Sequence, residues 1–344
     1  MTQAPGIADR KTAHLDVLQR DPEVERAAGG FDALQLSHRA LPELDFDAVR
    51  TDATFLGRAL SMPLVISSMT GGTGERIARI NRNLAIAAQA TGVALAVGSQ
   101  RIQFTTPESR ASFALREHAP DVPLLGNLGG VQLNYGFGID QVRAAVDVLE
   151  ADGLYLHLNP LQEAVQPEGD RNFAGLADAI AALVPQLSVP ILLKEVGAGL
   201  SPKDIRRGLD AGIRHFDVAG RGGTSWSRIE YHRRTDDHDD LGLTFQDWGL
   251  TTVQALQAAV PALHGTGSTL IASGGLRNGI DMAKAILLGA DLCGIAAPFL
   301  AVAETSAEAV IARIERLRRE FRTALFLLGC PDPTTLRGNR ALLL

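Results

Sequence analysis

Apolar residues in this chain gather into short unbroken runs rather than alternating with polar ones. Eight such runs stand at 63–69, 92–98, 122–127, 153–158, 189–194, 215–219, 269–273 and 292–297, most of them rich in Val, Ile and Leu. Runs of this length and composition read as strands buried on both faces. Segments with helical periodicity lie between them, among them 74–91, 140–151, 173–187, 202–211 and 278–288. Ser201-Pro202 opens one of these with a preferred N-cap followed by proline at the first helical position.

Eight strands alternating with helices predict a parallel α/β fold. Eight such units over 63–320 match a (β/α)8 TIM barrel, typically ~250 residues long. An open doubly wound sheet is the alternative, but no Gly-x-Gly-x-x-Gly turn follows the first run, which ends Ser68-Met69-Thr70-Gly71-Gly72. The predicted organisation is an N-terminal extension over 1–62, the barrel over 63–320 and a tail over 321–344. The sixth connection, from Gly220 to about Thr244, has no clear period and is dense in charge, with His232-Arg233-Arg234 and Asp236-Asp237-His238-Asp239-Asp240. Long connections in compact domains tend to be binding loops or lids, the alternative being a solvated surface loop.

Composition narrows the class. With 46% apolar and 21% charged residues, a disordered chain is excluded. A net charge of −6 excludes a general nucleic-acid coat. Two cysteines are too few for a disulfide framework, so a reducing, cytoplasmic setting is expected. No run approaches the ~18 apolar residues of a membrane span, and no membrane partner is expected. Only four of the 33 Lys and Arg residues are Lys: Lys11, Lys194, Lys203 and Lys284. A lysine at a chemically unusual position therefore carries extra weight.

In a TIM barrel the chemistry sits at the C-terminal ends of the strands. Gly222-Gly223-Thr224, Gly274-Gly275 and Ala296-Ala297 follow three consecutive strands. Such turns let the backbone approach an anion, and together they favour a phosphate site over plain turn chemistry. Lys194 closes the apolar run Ile191-Leu192-Leu193, where an ammonium is costly unless it faces an anion or a polar ligand. It reads as a Schiff-base lysine, a flavin partner or half of an ion pair. His157 and Asn159 are two apart and share a strand face. Gln162 and Glu163 follow; a glutamate beside a phosphate site suits Mg²⁺, whereas taken alone Glu163 reads as a solvated loop carboxylate. No His/Cys set has zinc spacing. Arg10-Lys11-x-x-His14 is a local anion clamp or a solvated terminus.

Taken together these motifs resemble the type 2 isopentenyl-diphosphate isomerases over nearly the whole chain. The most specific pieces are Met69-Thr70-Gly71-Gly72, Gly98-Ser99-Gln100-Arg101, His157-Leu158-Asn159-Pro160-Leu161-Gln162-Glu163 and Asp217-x-x-Gly220-x-Gly222-Gly223-Thr224. The resemblance implies an FMN-binding barrel that interconverts isopentenyl and dimethylallyl diphosphate. It also implies Mg²⁺, a flavin kept reduced with NADPH as reductant, no net redox change, and a homo-oligomer (tetramer or octamer). Carried onto this sequence, Ser68, Met69, Thr70, Ser99 and Asn127 line FMN, and Lys194 sits near its pyrimidine edge. Thr224, Gly274, Gly275, Ala296 and Ala297 hold its phosphate end. Arg10, Lys11, Ser99, Gln100, Arg101, His157, Asn159 and Gln162 surround the diphosphate substrate, and Glu163 binds Mg²⁺. Gln162, His157 and Lys194 are the implied catalytic residues. Ala219 stands where the family often has Ser, so a hydroxyl contact to flavin is missing there.

Moving a double bond by one carbon adds a proton at one carbon and removes one at another. A dry site must hold the acid close, and reduced FMN offers a proton at N5 while Lys194 places charge near N1. FMN-dependent 2-hydroxy-acid oxidases share the Gly-Gly turns and the strand-5 lysine but give the Asn-Pro-Leu-Gln-Glu run no role. A non-catalytic nucleotide-binding barrel does not account for so many polar strand-end residues.

Overall fold

The computed structural model describes residues 17, 20–26, 29–69, 71–233 and 239–344. A short antiparallel hairpin of β1 (Ala53–Phe55) and β2 (Arg58–Leu60) precedes the barrel. Its two-residue turn puts Leu56 and Gly57 at φ 49° and 75°, the left-handed pair that matches strand twist in a tight hairpin.

Eight strands then close into a parallel barrel: β3 (Leu64–Ile66), β4 (Ala94–Ala96), β5 (Leu124–Gly129), β6 (Gly153–Leu158), β7 (Ile191–Glu195), β8 (His215–Asp217), β9 (Thr269–Ser273) and β10 (Leu292–Ile295). Each expected run holds one strand. Pairing of Ile66 with Ile295 joins the first strand of the barrel to the last. The closed ring rules out the open doubly wound sheet.

Alternation along each strand separates two cores. Leu64 and Ile66 face the outer helices, whereas Val65 faces the barrel axis. Leu125, Tyr155, Leu192 and Ile271 join Val65 inside, and Phe55 and Leu60 of the hairpin plug the same interior. The barrel is therefore filled, as side-chain layers fill this fold generally. Its polar chemistry is confined to the far end.

Outside the barrel lie α1 (Glu75–Thr91), α2 (Ile139–Leu149), α3 (Pro160–Val165), α4 (Leu176–Leu183), α5 (Pro202–Asp210), α6 (Trp226–His232), α7 (Leu241–Thr244), α8 (Thr252–Leu263), α9 (Gly279–Leu287), α10 (Ala297–Thr305), α11 (Ala307–Leu328) and α12 (Pro333–Leu336). Ser201 caps α5 by accepting from Asp204 N, with Pro202 at the first position. The second unit has three short 3-10 turns in place of a helix, at Gln100–Phe104, Pro107–Ser112 and Arg116–His118. Helix α11 runs through the 320/321 boundary and packs on α1 and α9. Residues 35–50 pair with the end of the chain, where Leu36 bridges Leu343 and Ser37 N donates to Leu342 O.

The sixth connection is not irregular. Ser225 caps α6, and Ser227, Ile229 and Glu230 of that helix are buried. Two of those three inward positions are polar, which removes the apolar stripe that reveals a helix in sequence. Residues 234–238 of the connection lie outside the described residues.

Candidate active site

A cavity open to solvent occupies the C-terminal end of the barrel. Its floor follows from strand alternation. Two residues beyond the inward Val65, Leu125, Tyr155, Leu192 and Ile271 stand Ser67, Asn127, His157, Lys194 and Ser273, all of which line the cavity. One step along the same period converts an apolar layer into a polar one.

Lys194 and Asp217 are register partners on β7 and β8. Lys194 Nζ donates to Asp217 Oδ2 at 2.7 Å and to Ser273 Oγ at 3.0 Å. Ser273 Oγ donates to Asp217 Oδ1 at 2.5 Å, and Tyr155 OH to Oδ2 at 3.3 Å. Burial and the Asp217 carboxylate push the Tyr155 phenol well above its ordinary range, which keeps it a donor. Of the readings open for Lys194, the ion pair is real and coexists with a place on the cavity wall.

Around the rest of this half the wall is made of small residues and backbone. Gly274 and Gly275 have φ of 104° and 86°, and a Cβ on either would meet Gly220 O at 2.0 Å or Gly222 O at 2.4 Å. These glycines let the turns after β8 and β9 close on each other. Ser68, Met69, Ser99, Asn127, Thr224, Ala296 and Ala297 line the cavity as well. The Oγ atoms of Ser67 and Ser68 are buried without a protein partner. Buried hydroxyls facing a roomy, glycine-walled cavity fit a polar, planar group with a phosphate tail such as FMN. Ala219 lines the cavity at φ 38°, its N–H donating to Asp217 Oδ1 at 3.2 Å, and it brings no hydroxyl.

At the rim, Thr224 Oγ1 and Arg277 Nη2 both donate to the Glu25 carboxylate, the latter at 2.5 Å. Glu25 arrives on an extended segment zipped to the sixth connection, with Arg26 N donating to Gly223 O and Ser225 N to Val24 O. Thr224 and Arg277 thus form an anion-holding pair beside the Gly-Gly turns.

The opposite half is built from charged and amide side chains. His157 Nδ1 lies 2.7 Å from Asn127 Oδ1; an amide oxygen only accepts, so Nδ1 carries the proton. Gln100 is fully buried and braces this wall from behind, its amide joining Ala145 O and Asn127 N at 2.8 and 2.9 Å. Asn159 Nδ2 donates to Gln162 Oε1 at 3.1 Å and to Glu163 Oε1 at 2.9 Å. Gln162 Nε2 donates to Glu230 Oε1 at 2.8 Å, and Glu230 pairs with Arg233. Glu163 Oε2 accepts from Asp170 N at 2.6 Å, and Arg101 pairs with Asp170 at 2.7 Å. Burial pushes the Glu163 carboxyl above its ordinary range, against the pull of those two donors.

Gln162 and His157 reach the cavity wall; Gln100, Arg101, Asn159 and Glu163 stand behind or beside it. Arg10, Lys11, His14 and Thr70 lie outside the described residues. Among the described residues no cluster of three or more His, Cys, Asp or Glu could hold a metal by itself. Asn159 Oδ1, however, is buried without a partner next to Glu163. Two hard oxygens fit Mg²⁺ when a ligand's phosphates complete the shell. Sequence reasoning did not single out Glu25, Asp170, Glu230, Ser273 or Arg277 as site residues, and it quoted Asp217 in a motif without giving it a role. Strand alternation from Ile271 was a usable signal for Ser273.

Comparison with known proteins agrees with this geometry. The profile of the FMN-dependent dehydrogenase family matches residues 157–342. Solved mandelate oxidases share the fold: one holding an FMN adduct aligns at TM-score 0.63 and 20% identity over 96% of this chain and 98% of that one. A curated isopentenyl-diphosphate delta-isomerase from Paracoccus zeaxanthinifaciens is 63% identical over 98% of this chain and 97% of its own. Those of Hydrogenovibrio crunogenus and Stutzerimonas stutzeri are 56% and 47% identical, covering 100% and 98% of this chain and 99% and 97% of theirs. With relatives this similar over almost every residue, the chain belongs to the isopentenyl-diphosphate delta-isomerase family, on a barrel of the FMN-dependent dehydrogenase type.

Proposed function

We propose that this protein interconverts isopentenyl diphosphate and dimethylallyl diphosphate, using FMN held in its reduced form and Mg²⁺. The observation that carries this reading is the join between the two halves of the cavity. A flavin-type wall ending in Lys194 faces Gln162 and His157, and the Asn159 amide nitrogen, donating to both Gln162 Oε1 and Glu163 Oε1, ties Gln162 to the residues that carry the Asn159 and Glu163 oxygens. An oxidase of 2-hydroxy acids has no use for that oxygen pair.

Reduced FMN would supply a transferable proton and a flat anionic surface. The protein's own residues do the rest. Ser68, Thr224, Gly274, Gly275 and Arg277 would seat the cofactor, with Lys194 toward its pyrimidine edge. Asn159 Oδ1 and Glu163 would hold Mg²⁺ against the diphosphate, with Arg101 beside it and Arg10 and Lys11 closing from the N-terminus. Gln162, oriented by Glu230, would sit over the reacting carbons, and His157, held by Asn127 through Nδ1, would face the substrate with Nε2. NADPH is the proposed source of the initial reduction, and a cytoplasmic homo-oligomer the proposed form.

The test separates a recycling flavin from a consumed one. Under anaerobic conditions, one equivalent of dithionite per flavin should support many turnovers of isopentenyl diphosphate. In D₂O the products should gain deuterium. Turnover that stops after about one product per flavin, or uses NADPH one-for-one, overturns the isomerase reading while leaving the FMN site intact.

A further inference from the structure

Beneath Lys194 lies a carboxylate to which the proposed reaction gives no part. Asp217 is fully buried, and both of its oxygens are held from two sides. Oδ2 accepts from Lys194 Nζ at 2.7 Å and from Tyr155 OH at 3.3 Å; Oδ1 accepts from Ser273 Oγ at 2.5 Å and from Ala219 N at 3.2 Å. Four donors on three strands and the turn after β8 leave it no room to swing away. Lys194 in turn directs two of its three N–H bonds at Asp217 and Ser273, which fixes the direction of the third.

We propose that Asp217 is a positioning residue that sets how much of the Lys194 charge reaches a flavin in the cavity, and so tunes the acidity and reduction potential of bound FMN. This rests on the FMN reading above. A lone ammonium beside the pyrimidine edge would act as a full positive charge in a poorly screened site. Paired with a carboxylate 2.7 Å away, it acts as a dipole whose field falls off faster. Reduced FMN is a weak acid at N1, and its anion is stabilised by positive charge next to that atom. A flavin that must cycle protons without cycling electrons needs this equilibrium kept in balance. Partial masking of Lys194 does so, where a bare lysine would hold the anion too firmly. Ser273 and Tyr155 keep the masking constant by fixing the carboxylate.

Release of oxidised and reduced FMN from the holoprotein variants on dilution tests this directly, because the ratio of the two dissociation constants reports the potential. Asp217→Asn keeps shape and removes charge. It should raise the ratio Kd(oxidised)/Kd(reduced) about tenfold, equivalent to about +30 mV for a two-electron couple. It should also lower the pH at which the reduced flavin's spectrum changes to that of its anion. Tyr155→Phe removes one donor from the carboxylate, concentrates its charge on Lys194, and should lower the ratio, opposite in sign. If Asp217→Asn cannot retain flavin, the Tyr155→Phe sign decides alone. A ratio within twofold of wild type in Asp217→Asn, or in Tyr155→Phe when it must decide alone, means the carboxylate is only a brace and overturns the proposal, as does a shift of the same sign in both. Wild-type protein that binds no FMN at all overturns the FMN reading first and this inference with it.

Discussion

The two halves of the cavity recognise by different means. From β7 round to β3 the wall is mainly glycine, alanine, hydroxyl and apolar side chains, with Glu25 and Arg277 paired at the rim, and its one lysine is pinned by Asp217 and Ser273. From β4 to β6 the wall is backed by side chains already paired with one another: Arg101 with Asp170, Glu163 with Asn159, Gln162 with Glu230. The first half is largely finished once the barrel has folded, because most of its wall is backbone and small side chains and its lysine is already held. The second half holds its charges in pairs that a diphosphate and a metal must rearrange, exchanging one set of charge-assisted bonds for another. One half should therefore control retention of the cofactor, and the other turnover.

Breaking the second half should have the largest effect. Glu163→Gln should keep FMN at wild-type stoichiometry yet lose most Mg²⁺-dependent turnover. Removing a metal ligand's charge costs on the order of several kcal/mol of transition-state stabilisation. Unchanged turnover at ordinary Mg²⁺, measured beside the flavin absorbance, would show that Glu163 does not hold the metal.

Breaking the first half should do the reverse. Gly274→Ala puts a methyl 2.0 Å from Gly220 O at a φ of 104°. A non-glycine residue held in such a region costs about 1–3 kcal/mol before the clash is counted. The turns after β8 and β9 must part, and the purified protein should be largely colourless while circular dichroism still reports a folded barrel. A yellow variant with full flavin content would remove the distinction between the halves.

The smallest effect concerns a charge of the first half that never reaches the cavity. Glu195 Oε2 accepts from the backbone N–H groups of Val196, Gly197, Ala198 and Gly199, fixing the loop that contributes Val196 and Gly197 to the wall. Burial, opposed by those four donors, pushes its carboxyl from 4.5 up to about 7. The folded chain then holds this proton more tightly than the unfolded one. Its contribution to stability is fully present below pH 4.5 and is lost as the pH rises to about 7. Relative to wild type, Glu195→Gln should therefore gain in melting temperature across that window and stay level above it. A difference independent of pH would mean that the four donors hold the carboxyl near its ordinary value.

In both halves what was legible in sequence was local. Eight apolar runs announced the strands, and the Gly-Gly turns and Lys194 announced one side of the cavity wall, because each is a local pattern. The hairpin of β1 and β2 escaped notice: three residues per strand give no periodic signal, and its turn uses Leu56 where glycine or asparagine is usual. The partners of the named residues were hidden for another reason. Glu25 meets Thr224 and Arg277 across 199 and 252 residues, and Asp170 meets Arg101 across 69. Such pairs exist only after the chain has folded back on itself. The motif residues were visible in sequence, while the side chains that orient and charge-balance them were not.

Closure of the barrel between β10 and β3 has a kinetic consequence. Ser67 and Ser68 follow the first barrel strand, and Ala296 and Ala297 follow the last, so the cavity wall is assembled from chain segments more than 200 residues apart. Contacts of such separation form late, because loop-closure entropy must be overcome before they contribute. On the ribosome, β3 leaves with its apolar outer face uncovered and waits for most of the chain before its final neighbour exists. A nascent chain lacking β10 has no flavin site to offer. Cofactor capture therefore acts as a ratchet on the last step of folding: it favours the closed ring over its open precursor by the mass-action term of ligand binding. Cells short of flavin should accumulate this chain as a slow-closing, protease-sensitive species before any loss of catalytic competence in the finished molecules is felt.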